Sequence, residues 1–309
     1  MNPTKPARFL ILRGGAIGDF ILTLPALQAL REWWPDAYIE LVGYPHIANL
    51  ALAAGLVDHV ESLDRADAAR LFTWRPTFSE EQAAHLRSFD LVISYLHDPD
   101  GVVKANLKAA GVKQVIYGSP LVEEGHAIDH LMKPLETLAI YCEKPLPRLT
   151  LQAERGKEWL AAHGLSGNVV AIHPGSGSPK KNWPTENFLK LAEQLRESGQ
   201  MYLIIFGEAD AAVADLIRKN MPGVIELSGC TLVELATVLS ACRAYVGNDS
   251  GVTHIAAALG LRTIVMFGPS DSDRWGPRGS HVSVIKAPEG NLELISANDV
   301  LNMLRSSLA

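Results

Sequence analysis

The sequence predicts an α/β protein with two successive domains, each built on an open, mostly parallel sheet with helices on both faces. Three observations lead to this prediction. Short apolar runs alternate with stretches of helical periodicity, glycine-bearing loops follow several of these runs, and a proline-containing break separates two such series. The length of 309 residues suits two domains of ordinary size. The break near residues 145–151 therefore predicts domains at 1–147 and 148–309.

The first half begins with a strand–helix–strand unit. Residues 9–12 form a short apolar run, 20–34 have apolar residues at helical spacing, and 38–42 form a second apolar run. Strands joined in this way by a helix are parallel and buried. The alternation continues with strands at 60–63, 91–96 and 115–116 and helices at 102–110 and 130–141. The segment 66–82 shows no clear period and receives no assignment.

The second half repeats the alternation. Strands are predicted at 169–173, 202–206, 224–227, 244–247 and 263–267, with helices at 185–198, from 211, at 232–240, 253–259 and 298–308. Thr185 is the expected N-cap of the first of these helices. Ligands of such sheets bind outside the carboxyl ends of the strands. Polar residues that directly follow a strand are therefore the candidates for function.

Composition excludes several classes of protein. The formal net charge of −6 argues against broad nucleic-acid binding. Cys142, Cys230 and Cys242 lack metal-ligand spacing and are predicted to be buried free thiols in a reducing compartment. The first apolar run is interrupted at Arg13, so it is too short for a signal peptide, and no run approaches the ~20 apolar residues of a membrane span. A cytoplasmic location is expected.

The first polar motif, residues 13–19, follows the first strand and precedes a helix. Its glycines permit close backbone approach, and Asp19 stands near the helix start, where a carboxylate is electrostatically favoured. Spacing alone leaves two interpretations of Asp19 open, as a helix cap or as a functional group. The loop is not G-x-G-x-x-G, and Glu40 is a weak match to the acid that accompanies that motif. An NAD site is therefore not favoured.

The second motif, residues 173–184, has small residues after a strand and then the paired Lys180 and Lys181. Backbone and hydroxyl donors beside a lysine suit a diphosphate. The alternative is a solvated surface loop with incidental lysines. The motif lacks G-x-x-x-x-G-K-[ST], so it is not a Walker P-loop.

The third motif, residues 247–254, takes a strand sharply into a helix that begins near Gly251. The first N–H groups of a helix have no partner within it, and Asp249, Ser250, Thr253 and His254 crowd around them. A lone histidine at a helix start is more often structural. Four polar side chains at one terminus favour an anion site.

Two further strand exits carry polar residues. Glu208 follows the strand at 202–206, where a carboxylate can accept from ribose hydroxyls, and the segment 268–277 can border a nucleotide. Solvated loop residues are the stronger interpretation of both.

Together these segments resemble glycosyltransferase family 9, the ADP-heptose:lipopolysaccharide heptosyltransferases. The resemblance is carried in chain order by Ile11-Leu12-Arg13, Gly18-Asp19, Leu24-Pro25-Ala26-Leu27, His173-Pro174-Gly175, Lys181-Asn182-Trp183-Pro184, Tyr245 to Gly251, Thr253-His254, Phe267-Gly268-Pro269, Arg274 and Gly276-Pro277. It implies a GT-B fold, in which two Rossmann-like domains with parallel sheets face a central cleft. It also implies that the first domain binds the acceptor and the second binds the nucleotide-sugar donor.

The resemblance implies a role for individual residues. Asp19 matches the proposed catalytic base, and Arg13 and Gly18 are assigned to the acceptor. Apart from the resemblance, Lys104 and Lys108 lie one helical turn apart and are candidates to meet an anionic acceptor, but an ordinary solvated face is the stronger interpretation of both. Glu208 stands near the ribose-binding acid, at an offset that the motif does not define. The remaining expected donor contacts are Ser176, Gly177, Lys181, Asp249, Ser250, Gly251, Thr253 and His254.

The implied reaction is inverting transfer from an ADP-sugar with no metal or other cofactor. The implied partners are the donor and an oligosaccharide or lipid-linked acceptor, with no nucleic acid; a lipid acceptor is compatible with peripheral contact with the inner face of the cytoplasmic membrane. Residues 64–125 show little of the family pattern, so the acceptor stays open. Three alternatives remain: a GT-B nucleotide-sugar epimerase, a non-catalytic nucleotide-sugar-binding module and, more distantly, an NAD-linked oxidoreductase.

Overall fold

The computed structural model describes residues 6–308, apart from the side chain of Asp67. Residues 1–5, where the segment weighed as a signal peptide begins, lie outside this range. The chain divides into two compact units, Met1–Pro145 and Leu146–Ala309. The division falls two residues before the expected one, inside a proline-containing stretch without helix or strand.

The first unit carries a five-stranded sheet in which every pair is parallel. The strand order is β3-β2-β1-β4-β5. The strands are β1 (Arg8–Leu12), β2 (Tyr38–Gly43), β3 (His59–Ser62), β4 (Leu91–Ser94) and β5 (Val115–Tyr117). The order reverses between β1 and β4, and the carboxyl ends of these two strands form the switch point, where open α/β sheets bind ligands.

The helices of this unit include three that the sequence pattern did not predict: the second, third and fourth. They are α1 (Ile17–Trp33), α2 (Pro45–Ala53), α3 (Ala66–Ala69), α4 (Glu80–Arg87), α5 (Val102–Ala109) and α6 (Ala127–Met132). The unpredicted α2 begins at Pro45, since proline is favoured at a first helical position. The unpredicted α4 begins with a capping box, in which Ser79 and Gln82 each accept the other's backbone N–H.

The second unit carries a six-stranded parallel sheet in the order β11-β10-β9-β6-β7-β8. The strands are β6 (Val170–His173), β7 (Tyr202–Ile205), β8 (Glu226–Leu227), β9 (Ala244–Asn248), β10 (Arg262–Phe267) and β11 (Val282–Lys286), the last of which was not predicted. Every residue of β6 and β9 is buried, because helices cover both faces of a parallel sheet. The order reverses between β6 and β9, which makes their carboxyl ends the second switch point.

The helices of the second unit are α7 (Ala153–Ala162), α8 (Thr185–Glu197), α9 (Ala211–Asn220), α10 (Leu232–Leu239), α11 (Gly251–Ala258), α12 (Ser272–Trp275) and α13 (Ala297–Leu308). The predicted cap of α8 is wrong: Pro184 occupies the cap position and Thr185 is the first helical residue. The helix expected at 130–141 in the first unit is also shorter. It ends as α6 at Met132 and continues as a 3₁₀ segment, Lys133–Leu138.

The predicted burial of the cysteines is only partly correct. All three are free thiols, but Cys142 is exposed, and Cys230 and Cys242 are half-buried. Burial raises the pKa of the Cys242 thiol to about 12, so this thiol is unreactive at neutral pH. In residues 6–308, no helix combines the length and apolar character needed to cross a membrane.

Candidate functional site in the second unit

The polar motifs of the second unit converge at its switch point. β6 and β9 are hydrogen-bonded neighbours, with His173 opposite Gly247. The second motif therefore leaves β6 beside the place where the third motif leaves β9. This neighbourhood follows from the strand order, since a reversal of order places the exits of two strands side by side.

Lys181 and Asp249 form the charged pair of this site. The Lys181 Nζ lies 2.7 Å from Asp249 Oδ2, and the two residues are 68 positions apart in the chain. The Asp249 side chain is 9% exposed and the Lys181 side chain 38% exposed. The carboxylate thus holds a partly solvated ammonium beside the start of α11, where it remains accessible to an anionic ligand.

Ser250 caps α11. Its hydroxyl accepts a hydrogen bond from the Thr253 N–H at 3.4 Å, as an N-cap side chain does. The N–H groups of Gly251 and Val252 precede the first intrahelical bonds, and among the described residues they have no acceptor. The positive end of α11 is therefore open to an anion. His254 is buried one position after Thr253 in the same first turn.

Asn248 fastens the second motif to β9. Its Nδ2 donates to the Pro174 carbonyl at 2.8 Å, and its Oδ1 accepts from the Trp183 N–H at 2.9 Å. Both ends of the loop that carries Lys181 are thereby fixed to one fully buried amide. Asn248 lies in the third motif, but nothing in the sequence indicated a role for it, because its partners are 65 and 74 residues away.

Ser176 and Gly177 lie inside that loop. The Ser176 hydroxyl is buried and lies 2.6 Å from Asn182 Oδ1 and 2.7 Å from the Ser178 carbonyl. Gly177 is exposed, with open space where a Cβ would stand. The Ser176 side chain shapes the loop, whereas the exposed backbone of Gly177 is the part that a ligand can approach.

A buried carboxylate–imidazole pair lies under the site. Asp210 Oδ2 accepts from His173 Nε2 at 3.0 Å and from the Gly207 N–H at 2.7 Å, and both side chains are about 5% exposed or less. Burial raises the pKa of Asp210, but the bonds from His173 and Gly207 outweigh that effect and the pKa is lowered overall. Sequence reasoning assigned neither residue a role. Buried polar residues at the exits of adjacent strands are the signal that identifies them.

Glu208 and Asp210 share one turn and differ in environment. They are the ends of a 3₁₀ segment after β7, in which Glu208 is exposed and Asp210 is buried. Glu208 is thus the carboxylate of this turn that remains available to a ligand. Its predicted contact with ribose remains a prediction.

In the first unit, Asp19 is both a cap and an available carboxylate. It is the third residue of α1, and its Oδ2 accepts from the Ala16 N–H at 3.1 Å. Gly15 has a φ of +96°, a left-handed conformation that brings the loop back over Asp19. The capping interpretation is therefore realised. Asp19 is half-buried, so a substrate hydroxyl can still approach it.

Arg13 is part of the framework of this loop. Its side chain is buried, and it donates to Thr23 Oγ1 at 2.9 Å, to the Asp19 carbonyl at 2.8 Å and to the Tyr95 carbonyl at 3.5 Å. Burial lowers the pKa of Arg13, and the nearby Asp19 carboxylate acts in the opposite direction. Arg13 thereby ties α1 to the exit of β4.

The other expected acceptor residues are differently placed. Gly18 lies in the first turn of α1, and Lys104 is exposed on α5, with Lys108 one turn further along. In the part of the chain that the structure describes, His, Cys, Asp and Glu form no group of three or more suited to hold a metal.

Comparison with known proteins identifies relatives along the whole chain. The model of glycosyltransferase family 9 (heptosyltransferase) matches residues 107–303, more than half of this chain. Lipopolysaccharide heptosyltransferase 1 of Escherichia coli K12 is 24% identical over 327 residues, covering 97% of this chain and 99% of the relative. Lipooligosaccharide heptosyltransferase 2 of Haemophilus influenzae is 31% identical over 157 residues, covering 48% of this chain and only 45% of the relative.

A solved structure shares the fold. The structure of E. coli ADP-heptose lps heptosyltransferase II matches with a TM-score of 0.79 at 20% identity, over 97% of this chain and 98% of that chain. This likeness confirms the predicted GT-B class of two α/β units with parallel sheets. Together with the family match, it shows that the chain belongs to glycosyltransferase family 9 and is a glycosyltransferase.

Proposed function

We propose that this protein transfers a heptose or a related sugar from an ADP-sugar to an acceptor of the lipopolysaccharide-core type, with inversion at the anomeric carbon and without a metal. The observation that carries this proposal is the Lys181–Asp249 pair at the open start of α11, on the switch point of the second unit. One structural relative is an E. coli ADP-heptose lps heptosyltransferase, and the E. coli K12 relative that matches over 99% of its length is a lipopolysaccharide heptosyltransferase.

The second unit is proposed to bind the donor diphosphate. Lys181 supplies a charge, and the N–H groups of Gly251 and Val252 supply oriented donors at the positive end of a helix. Negative charge grows on the departing nucleoside diphosphate during transfer, and groups already fixed in place stabilise it without reorganisation. This arrangement supplies the stabilisation that a divalent cation provides in other transferases, which is the basis for proposing a metal-independent reaction.

The first unit is proposed to bind the acceptor, with Asp19 as the base. Inverting transfer requires a group that takes the proton of the attacking hydroxyl, within about 3 Å of it or through one water. Asp19 carries a half-buried carboxylate at a strand exit, next to Gly18, and Arg13 holds its backbone. Gly177, Thr253, His254 and Glu208 complete the proposed donor contacts, with Ser176 shaping the loop that presents Gly177, and Lys104 completes the acceptor contacts.

The reaction is proposed to take place in the cytoplasm, with a lipid-linked acceptor reached from the membrane surface. The segment between α3 and α4 exposes Phe72 and Trp74, whose side chains are 45% and 73% accessible. Large exposed aromatic side chains suit the interface of a bilayer. Co-sedimentation with anionic phospholipid vesicles, and its loss in Trp74→Ser, tests this contact.

The decisive experiment for the donor is calorimetric titration of the full chain with ADP, UDP and GDP, in magnesium and in EDTA. The proposal expects ADP to bind most tightly and equally well in both conditions. Preference for UDP or GDP would overturn the donor assignment, and binding that requires magnesium would overturn the metal-independent reaction. Transfer is then measured with an ADP-heptose and a heptose-free core acceptor, and the anomeric configuration of the product reports inversion or retention.

The epimerase alternative has no specific observation in its favour. It predicts isomerisation of the donor in the absence of any acceptor. Incubation of the protein with the nucleotide-sugar alone separates the two activities, because a transferase leaves the donor unchanged apart from slow hydrolysis.

A further inference from the structure

A chain of buried polar side chains joins three strand exits beneath the proposed diphosphate site. Asp210 follows β7, His173 ends β6 and Ser250 follows β9. His173 Nε2 lies 3.0 Å from Asp210 Oδ2, and His173 Nδ1 lies 3.3 Å from Ser250 Oγ. The three side chains are 37 and 77 residues apart in sequence, so their meeting is a product of the sheet order alone.

The direction of each hydrogen bond follows from the chemistry of the groups. A carboxylate only accepts, so His173 Nε2 must carry a proton that it donates to Asp210. In the neutral imidazole, Nδ1 is then a bare acceptor and receives the Ser250 O–H. The Ser250 oxygen keeps its lone pairs for the Thr253 N–H.

The chain continues without conflict beyond Ser250. The Thr253 hydroxyl donates to the Asn248 carbonyl, and the Tyr245 hydroxyl lies 3.0 Å from Thr253 Oγ1, to which it donates. Burial raises the pKa of Tyr245, which keeps this phenol protonated as a donor. Ser250 Oγ also lies 3.2 Å from Thr253 Oγ1, which is a competing acceptor for the Ser250 proton. Asp210 fixes the proton of His173 on Nε2, and the bare Nδ1 then draws the Ser250 proton away from Thr253.

Gly175 shows how closely Asp210 is held. A Cβ at position 175 would lie 1.8 Å from Asp210 Oδ1, a distance at which no side chain fits. The backbone of the diphosphate loop thus packs directly against the carboxylate that orients His173. The other oxygen of the same carboxylate, Oδ2, accepts the Gly207 N–H at 2.7 Å.

We propose that Asp210 and His173 are positioning residues of the diphosphate site, which orient the Ser250 hydroxyl so that it caps α11 and leaves the Gly251 and Val252 N–H groups turned towards the donor. The inference rests on the proposed function, because it assumes a diphosphate at the start of α11. Neither residue needs to touch the donor. Their contribution is to remove the alternative orientations of Ser250, so that the anion site is already ordered before the ligand arrives.

The test compares His173→Gln with His173→Leu in the full chain. A glutamine amide carries a donor and an acceptor side by side, as neutral imidazole does, whereas leucine supplies neither. Calorimetry with ADP and with adenosine then separates the diphosphate from the nucleoside. We expect His173→Leu to raise the Kd for ADP about tenfold and to leave the Kd for adenosine unchanged. For His173→Gln we expect a Kd for ADP within about threefold of that of the parent protein.

Asp215→Asn is the matched control. Asp215 is an exposed acid on α9, in the same unit, with only a long 3.6 Å contact to Arg218. Equal losses of ADP and adenosine binding, or equal effects of leucine and glutamine, would indicate a general structural role and overturn the inference. If His173→Leu does not fold, Asp210→Asn and Asp210→Ala replace the pair, since asparagine can still accept from both N–H groups and alanine cannot.

Nitrogen NMR of the parent protein, labelled at histidine, tests the chain directly. The proposed hydrogen bonds require the tautomer with the proton on Nε2 of His173. The opposite tautomer would overturn the inference even if ADP binds. A parent protein that binds no nucleoside diphosphate would overturn the proposed function as well, whereas ADP binding that His173→Leu leaves unchanged would overturn only this inference.

Discussion

The two switch points of this protein are built from contacts of very different range. At the first, Asp19 is held by Ala16 and Arg13, which lie within six residues of it. The Arg13 side chain also donates to Thr23, ten residues away, and to the more distant Tyr95 carbonyl. At the second, the pairs Lys181–Asp249, Asn248–Pro174 and His173–Asp210 join residues 37 to 74 positions apart. The first site is a local turn with one available carboxylate. The second is a network that depends on the whole sheet.

This difference suits the two proposed tasks. A diphosphate is bound by many weak donors that must all be in place, and a fixed network provides them without a further entropic cost. A general base needs one correctly placed oxygen and access for the incoming hydroxyl. Substitutions at the first site should therefore change one chemical step, whereas those at the second should change binding and stability together.

Asp19→Asn carries the largest expected effect. Asparagine can still accept the Ala16 N–H, so the helix cap is preserved, but it cannot take a proton. We expect kcat to fall about 1,000-fold, with the Kd for ADP and the Tm nearly unchanged. Single-turnover transfer and calorimetry measure the two quantities, and a large loss of ADP affinity would contradict the role of base.

Gly175→Ala carries the next largest effect, and it acts on stability. The new Cβ would overlap Asp210 Oδ1 at 1.8 Å, which displaces a buried carboxylate from its two donors. We expect the free energy of unfolding to fall by about 3 kcal/mol in denaturant titrations. Gly177→Ala, where a Cβ meets open space, is the control and should change stability by less than about 0.5 kcal/mol. Equal stability of the two variants would show that the close approach at Gly175 is not required.

Lys181→Ala should weaken ADP binding about 30-fold while leaving adenosine binding unchanged, because the ammonium is proposed to bind the phosphate oxygens and not the nucleoside. Removal of the lysine also leaves Asp249 as a buried, unpaired acid beside the site. The double variant Lys181→Ala, Asp249→Asn should therefore recover part of the lost affinity. Parallel losses for ADP and adenosine would argue against a phosphate contact.

The smallest expected effect is an acid-dependent loss of stability from Asp210. Its pKa is lowered in the folded protein, so its contribution to stability is complete above the ordinary aspartate pKa and disappears as pH falls through the folded value. Denaturant titrations at neutral pH and below pH 4 should show a smaller acid loss in Asp210→Asn than in the parent. An unchanged pH profile would mean that this carboxylate is not stabilised by His173 and Gly207.

The sequence was most informative where the local pattern carries the structure. Apolar runs located ten of the eleven strands that the structure describes, since burial on both faces of a parallel sheet leaves a continuous signal. Short elements such as β11 and α4 were not predicted, because they bury too few residues to leave a continuous apolar pattern. β11 has half-buried residues and no fully apolar run, and α4 has only two buried residues in its eight.

Sequence reasoning about individual residues was likewise successful only where the local pattern carries the information. Lys181, Asp249 and Ser250 were predicted because each follows a strand inside a recognisable motif. Asn248 precedes Asp249 in the third motif, and Asp210 lies two residues after Glu208, yet the partners of both lie at distances along the chain that no local spacing reveals. Thr185 was wrongly predicted to cap α8, because the preceding Pro184 already occupies the cap position.

The sequence by itself therefore determined the α/β class, the two successive series of βα units and the strand exits that carry polar residues. The reason is that apolar periodicity and the glycine and proline residues that end each element are local properties of the chain. Only the tertiary structure decided which exits are neighbours, since β9, β6 and β7 are adjacent in the sheet and so bring Ser250, His173 and Asp210 together. It also decided that Gly175 must be glycine, because that requirement is set by a carboxylate 35 residues away in the chain.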